Sequence, residues 1–277
     1  MRKIPLPAVD DIENLQLLEA SKSDNAQAIV AHMPAMRDRF AEYDRGCGNP
    51  WLVDIDLRFE DKKAHLQHLY TSPPLALGFI EQLRYSLAGA CPVCGGRGVG
   101  TLDHYLPKSF YAEFSFYSKN LVPACFNCNT KRGNLTRGTL DGERPIHPYF
   151  DAFAERRIML IVISPPWKAP EVNAVPYDVT GAELVTAKWH IDNIIVPAGF
   201  HREIRDLWGS ILLDPYAYFD DPTDINAVIR VLQRWQRVEE ASDRSLNGWR
   251  SCFILGLSMN LEALHYIAGL PPATPPS

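Results

Sequence analysis

The chain has 277 residues, 46% of them apolar and 22% charged, enough to bury the core of one or two domains. That balance excludes global disorder, and a formal charge of −5 excludes a surface that is basic all over. No window approaches the roughly 20 uninterrupted apolar residues that span a bilayer. Pro5, Pro7, Asp10 and Asp11 follow Arg2 and Lys3 where a signal peptide needs an apolar run, so a cytoplasmic, membrane-free protein is expected.

Residues 1–88 read as a helical region. Two short helices are expected over residues 11 to 42, separated near Asp24 and by Pro34. Cys47, followed by Gly48, Asn49 and Pro50, falls in a loop. Leu57, Phe59, Leu66 and Leu69 mark a helix over Leu57 to Tyr70, which Pro73-Pro74 breaks. A second helix is expected from about Leu75 to Leu87. His65 and His68 share a face of the first of these helices, but Lys62 and Lys63 beside them favour a solvated surface over a metal site.

Four of the six cysteines form two CxxC pairs, Cys91/Cys94 and Cys125/Cys128, with 30 residues between them. In a cytosolic chain that spacing reads as one tetrahedral zinc site. A redox motif needs one pair, so the second argues against it. Gly95 and Gly96 let the backbone turn round the metal. Cys252 stands in an apolar stretch as a core thiol.

Between and within these knuckles lie Asp103-His104, Asn120-Leu121 and Cys128-Asn129, in that order. This segment, residues 91 to about 134, resembles the HNH endonucleases, the ββα-metal or His-Me finger family. The resemblance implies a hairpin and helix that grip one divalent cation, stapled from outside by zinc. By the same resemblance His104 is the general base, Asp103 and Asn129 hold catalytic Mg²⁺ or Mn²⁺, and Asn120 fixes the loop that orients His104. Asparagine in place of the more frequent last histidine favours a harder cation such as Mg²⁺. The chemistry fits the residue types: phosphodiester hydrolysis needs a base with a near-neutral pKa and an oxygen-ligated metal. Adjacent side chains on a strand point to opposite sides, so Asp103 and His104 share one site only at a strand end or bulge.

Residues 91 to 140 carry six basic side chains against two acidic ones, a basic island in a chain whose remainder is net −9. Lys108, Lys131 and Arg132 are the expected nucleic-acid contacts, with Arg132 one helical turn beyond Asn129. By the same resemblance, DNA is favoured over RNA. The aromatics Tyr105, Phe110, Tyr111, Phe114, Phe116 and Tyr117 read as a small core rather than a base-stacking surface.

His147 lies between Pro145 and Pro148, and a structural turn is preferred there over a phosphate or metal contact. Beyond it, Ile158 to Ile163, Val172 to Val179 and Thr186 to Val196 read as a three-stranded meander. Helices are expected at about Phe200 to Leu213, after an Asp221-Pro222 cap with Ile225, Val228, Ile229, Leu232 and Trp235 in helical spacing, and at Asp243 to Ala268. The tail from Pro271 to Ser277 reads as loose. The expected fold is α+β: a zinc-stapled HNH unit (89–150) in a mostly helical scaffold, with a small antiparallel sheet plus helices in 151–277. The expected activity is metal-dependent cleavage of nucleic acid. By resemblance to Septu-type anti-phage systems, an ATPase partner is expected. A non-catalytic zinc module and a protein scaffold are the alternatives.

Overall fold

The computed structural model describes residues 1–272, of which about half are helical. Asp10 opens the first helix by accepting from the N–H groups of Ile12 (3.0 Å) and Glu13 (2.9 Å), giving α1 (Asp11–Glu19). A single turn, α2 (Asp24–Gln27), precedes α3 (Met33–Arg45). Pro34 does not separate neighbouring helices but sits in the first turn of α3, where its missing N–H costs no hydrogen bond. The helix expected at Leu57 to Tyr70 is a 3₁₀ stretch over Leu57–Lys62 followed by α4 (Lys63–Thr71). Phe59, Leu66 and Leu69 are buried as the spacing requires, while Leu57 is exposed. α5 (Phe79–Arg84) is shorter than the predicted Leu75 to Leu87.

β1 (Val99–His104) and β2 (Leu121–Cys125) pair antiparallel, with Asp103 opposite Val122 and His104 opposite Leu121. The register shifts between Val99 and Thr101, away from the Asp-His pair, so His104 sits at a strand end rather than in a bulge. α6 (Phe126–Lys131) follows at once. The long β1–β2 connection supplies its own aromatic core, with Tyr111, Phe114, Phe116 and Tyr117 buried and Phe110 exposed. These rings pack on α3: Phe40 stacks on Tyr117 at 4.2 Å, and Tyr43 meets Phe114 edge-on at 5.0 Å.

The second sheet has two strands, not three: β3 (Met159–Ser164) and β4 (Glu171–Pro176). The expected third strand, Thr186 to Val196, is helical. It lies in α7 (Gly181–His190), a π-helical turn (Ile191–Ile195) and α8 (Val196–Ala198). Thr186, Ala187, Trp189, His190, Ile191, Ile194 and Ile195 are buried, which is a helical period. Packing of that face outweighs the few tenths of a kcal/mol by which β-branched residues disfavour helix.

α9 (Phe200–Leu213) matches its expected range, and α10 (Pro215–Tyr218) follows. α11 (Ile225–Asp243) is capped by Asp224 rather than by Asp221-Pro222. The predicted final helix is two, α12 (Trp249–Ser258) and α13 (Leu261–Ala268), because Arg244 takes a left-handed conformation after α11 and Asn260 starts a new cap. α12 lies directly on β3: a Cβ at Gly256 would come within 2.2 Å of the Ile161 carbonyl oxygen. Buried side chains form one core running from the N-terminal helices through the hairpin to α13. Among the described residues no helix is long and apolar enough to cross a membrane.

Candidate functional site

The four knuckle cysteines are buried, and their Sγ atoms all lie within 4.8 Å of one another. A tetrahedron of thiolates about 2.3 Å from zinc has edges of about 3.8 Å. Cys94 Sγ and Cys125 Sγ are 3.7 Å apart. Backbone N–H groups of Gly96, Cys125 and Cys128 point at Cys94 Sγ (3.4 Å), Cys91 Sγ (3.3 Å) and Cys125 Sγ (3.5 Å), stabilising anionic sulfur. Burial opposes ionisation of Cys91, but hydrogen bonds from the other three thiols overcome it and lower its pKa. The donor set fits zinc. The scaffold holds the first knuckle tightly. Gly95 has φ +87°, and a Cβ there would fall 2.2 Å from the Asn247 carbonyl oxygen. Trp249 Nε1 donates to the Cys94 carbonyl at 2.7 Å, and the Arg2 N–H to that of Pro92 at 3.1 Å. His190 bridges from the opposite side: Nε2 meets the Val93 carbonyl at 2.8 Å, and Nδ1 accepts from the Ile146 N–H at 3.0 Å.

From this frame β1 delivers Asp103 and His104, both buried. His104 Nε2 lies 2.8 Å from the Ser115 carbonyl oxygen. A carbonyl only accepts, so Nε2 carries the proton and Nδ1 keeps its lone pair. Burial, with Lys108 nearby, brings the His104 pKa down to about 3, so the ring is neutral at pH 7. The ring of Tyr70 stands edge-on at 4.4 Å. The Asp103 carboxylate faces Arg132 Nε at 3.1 Å, but that nitrogen makes no aligned hydrogen bond. Burial pushes the Asp103 pKa up to about 6 despite the pull of Arg132. Arg132 itself is buried, and its Nη2 also donates to the carbonyls of His104 and, at 2.9 Å, Tyr105.

Asn120 is wholly buried in the loop closing against β1. Its Oδ1 accepts from the Leu106 N–H at 2.7 Å, and its Nδ2 donates to the carbonyls of Leu106 (2.9 Å) and Phe114 (3.1 Å). Phe114 precedes Ser115, so Asn120 fastens the segment whose carbonyl holds His104. Two groups stand behind it that sequence reasoning missed. The Tyr43 hydroxyl reaches Asn120 Oδ1 at 3.2 Å and His147 Nε2 at 3.0 Å. Arg39 Nη2 meets the buried Glu113 carboxylate at 2.8 Å, while burial pushes the Glu113 pKa up to about 7. Both lie on α3, where tyrosine and arginine read as ordinary helix residues. His147 is 1% exposed. Its Nδ1 accepts from the Tyr149 N–H at 3.2 Å and its ring lies 3.9 Å from that of Tyr105. That is a structural turn.

Asn129 is exposed on α6, one turn before Arg132. The structure records no contact that joins its side chain to Asp103. Lys131 is exposed, and Lys108 lies 4.4 Å over the Tyr70 ring with its pKa lowered by burial. Much of the basic island is neutralised within the fold. Lys119 pairs with Asp44 at 2.6 Å, and Arg97 with Glu239 at 2.7 Å and Asp243 at 3.1 Å.

No known family profile matches the chain, and no solved structure matches it. The chain is similar to Protein ea31 of Escherichia phage lambda, 27% identical over 172 residues, covering 54% of this chain and 57% of that protein. It therefore spans a little over half the length of that relative.

Proposed function

We propose that the chain is an HNH-type endonuclease that hydrolyses phosphodiester bonds in nucleic acid, with DNA the favoured substrate. The observation that carries this reading is the hold on His104: Ser115 fixes Nε2, Asn120 fixes the Ser115 segment, and Nδ1 is left bare on a neutral ring. A ring so held is oriented to take a proton from water without reorganising. Burial leaves it a weaker base than the near-neutral one expected from the sequence, so hydrolysis requires a bound cation that acidifies the attacking water. Asp103 and Asn129 would hold Mg²⁺ or Mn²⁺, which when bound stabilises charge on the leaving oxygen. Arg132 braces Asp103, while Lys108 and Lys131 meet the phosphates. Zinc on the four cysteines is structural. Control by an ATPase partner, and a place in anti-phage defence, are proposed on the resemblance alone.

The test is cleavage of supercoiled plasmid by the purified chain with Mg²⁺ or Mn²⁺. Without its proposed ATPase partner the wild type is expected to nick or linearise it slowly, and His104→Ala to lose about a further 10²- to 10⁴-fold in rate. Equal cutting by both chains overturns the role of His104. Failure of the wild type on DNA and on RNA, with zinc bound, overturns the nuclease reading.

A further inference from the structure

α11 carries a line of arginines that the proposed chemistry does not use. Positions 230, 234, 237, 241 and 244 fall on one stripe of the helix and its cap, opposite the buried Val228 and Leu232. Arg230, Arg234, Arg237 and Arg244 are exposed, and Ala241 keeps the stripe low between the last two. Two grooves run along this face and share Arg237. One, of about 450 Å³, is lined by Arg230, Arg234 and Arg237, with Asp220 at its edge. The other, of about 520 Å³, is lined by Arg2, Lys3, Arg237 and Arg244.

The charges are unevenly compensated. Glu155 and Glu240 also line the second groove, but Glu155 is taken by Lys3 at 3.2 Å and Glu240 by Arg157. Arg230 faces Asp224 at 3.7 Å. Among the described residues, Arg2, Arg234, Arg237 and Arg244 have no carboxylate within 4.0 Å. Elsewhere arginines without such a partner are scattered singly, at Arg45, Arg137 and Arg205. Arg2 is held against Arg244 by donating to its carbonyl at 3.0 Å, so two like charges are kept together. Like charges crowded without counter-ions, in a chain that is acidic overall, are the footprint of an anionic ligand. From Arg230 to Arg244 the stripe spans about 20 Å, too long for a single phosphate group.

We propose that this face is a track for the phosphate backbone of a nucleic-acid duplex, laid along α11 and running toward the first cysteine knuckle. The track ends where Arg2 binds Pro92 and where the Asp243 carbonyl accepts from the Ala90 N–H at 2.9 Å, beside the knuckle that precedes β1. The choice of nucleic acid over other polyanions rests on the nuclease reading.

The test measures binding of a fluorescein-labelled 24-base-pair DNA duplex to the full zinc-loaded chain, by anisotropy, across a range of KCl without added divalent cation. Arg234→Gln/Arg237→Gln is expected to weaken binding at least tenfold near 0.15 M salt and to make the log–log salt slope shallower by about two. Arg202→Gln/Arg205→Gln, two exposed arginines on α9, is the charge-matched control and is expected to keep the wild-type slope. Equal losses in both double variants, or none in the first, overturn the track. So does displacement of the duplex by polyglutamate at equal charge concentration. The two readings separate cleanly. A wild type that cuts plasmid while Arg234→Gln/Arg237→Gln binds and cuts equally well sinks the track alone. One that binds through these arginines yet never cuts sinks the nuclease alone.

Discussion

Asn120 spends every side-chain donor and acceptor inside the protein, and the directions can be followed. His147 is buried, with its pKa driven well below the usual range by burial and by Arg144 and Arg132, so its ring is neutral. Nδ1 accepts from Tyr149, which puts the proton on Nε2 and makes it the donor to the Tyr43 oxygen. Tyr43 in turn donates to Asn120 Oδ1. Asn120→Ala leaves the Leu106 N–H and carbonyl buried without partners and strips the Phe114 carbonyl of one of its two donors, and is expected to cost about 3 kcal/mol. Tyr43→Phe leaves the buried His147 Nε2–H without its acceptor and is expected to cost about 1 to 2 kcal/mol. Urea midpoints give both values, and plasmid cleavage should fall in the same order. A Tyr43→Phe chain as unstable as Asn120→Ala would move the weight of the clamp from Asn120 to Tyr43.

The hairpin and its following helix depend on the cysteine frame more than on their own length. β1 and β2 are six and five residues long, and α6 has six, each marginal alone. Zinc is therefore expected at one equivalent per chain. Cys125→Ser should lose it and release amide protection across Val99–His104 and Leu121–Lys131, read by hydrogen exchange and metal analysis. Full protection with no metal would mean that packing alone holds the unit. Much of this region was legible in the sequence, since cysteine spacing and an Asp-His pair are local signals. What failed was non-local. The stretch Thr186–Val196, rich in β-branched residues, looks like a strand until its partners are known, and as helix it buries Ile191, Ile194 and Ile195 together. The turn that splits α11 from α12 is set by Asn247, which bonds Ile158, Ala154 and Arg156, none of them near in sequence. Arg132 likewise read as a surface cation, because nothing local announces that it turns inward onto β1.

Across the whole molecule, distant segments are joined by buried polar contacts as well as by the core. Asp11, at the start of α1, accepts from the Ser118 N–H at 3.0 Å and from its hydroxyl at 2.6 Å, tying the first helix to the loop that carries Asn120. Burial pushes the Asp11 carboxyl up to about 6 from an ordinary 3.8. The folded chain then holds that proton more tightly than the unfolded one. Between about pH 4 and pH 6 the unfolded state ionises first, so rising pH removes stability, and above the folded pKa the loss is complete. Asp11→Asn escapes this. Relative to wild type it should gain about 2 kcal/mol between pH 4 and pH 7, read from urea midpoints at both. A gap that does not change with pH would show Asp11 ionised throughout. The junction at the first knuckle bears on how such a unit can be moved between proteins. Asn247 and Trp249 wall the outer side of Gly95 and Cys94, and His190 and Arg2 close on the adjacent backbone. A segment cut out at residues 91–134 would leave behind the surfaces that shape its own metal loop. Grafting this cassette into another host requires carrying the Asn247–Trp249 turn along with it, or rebuilding an equivalent wall there.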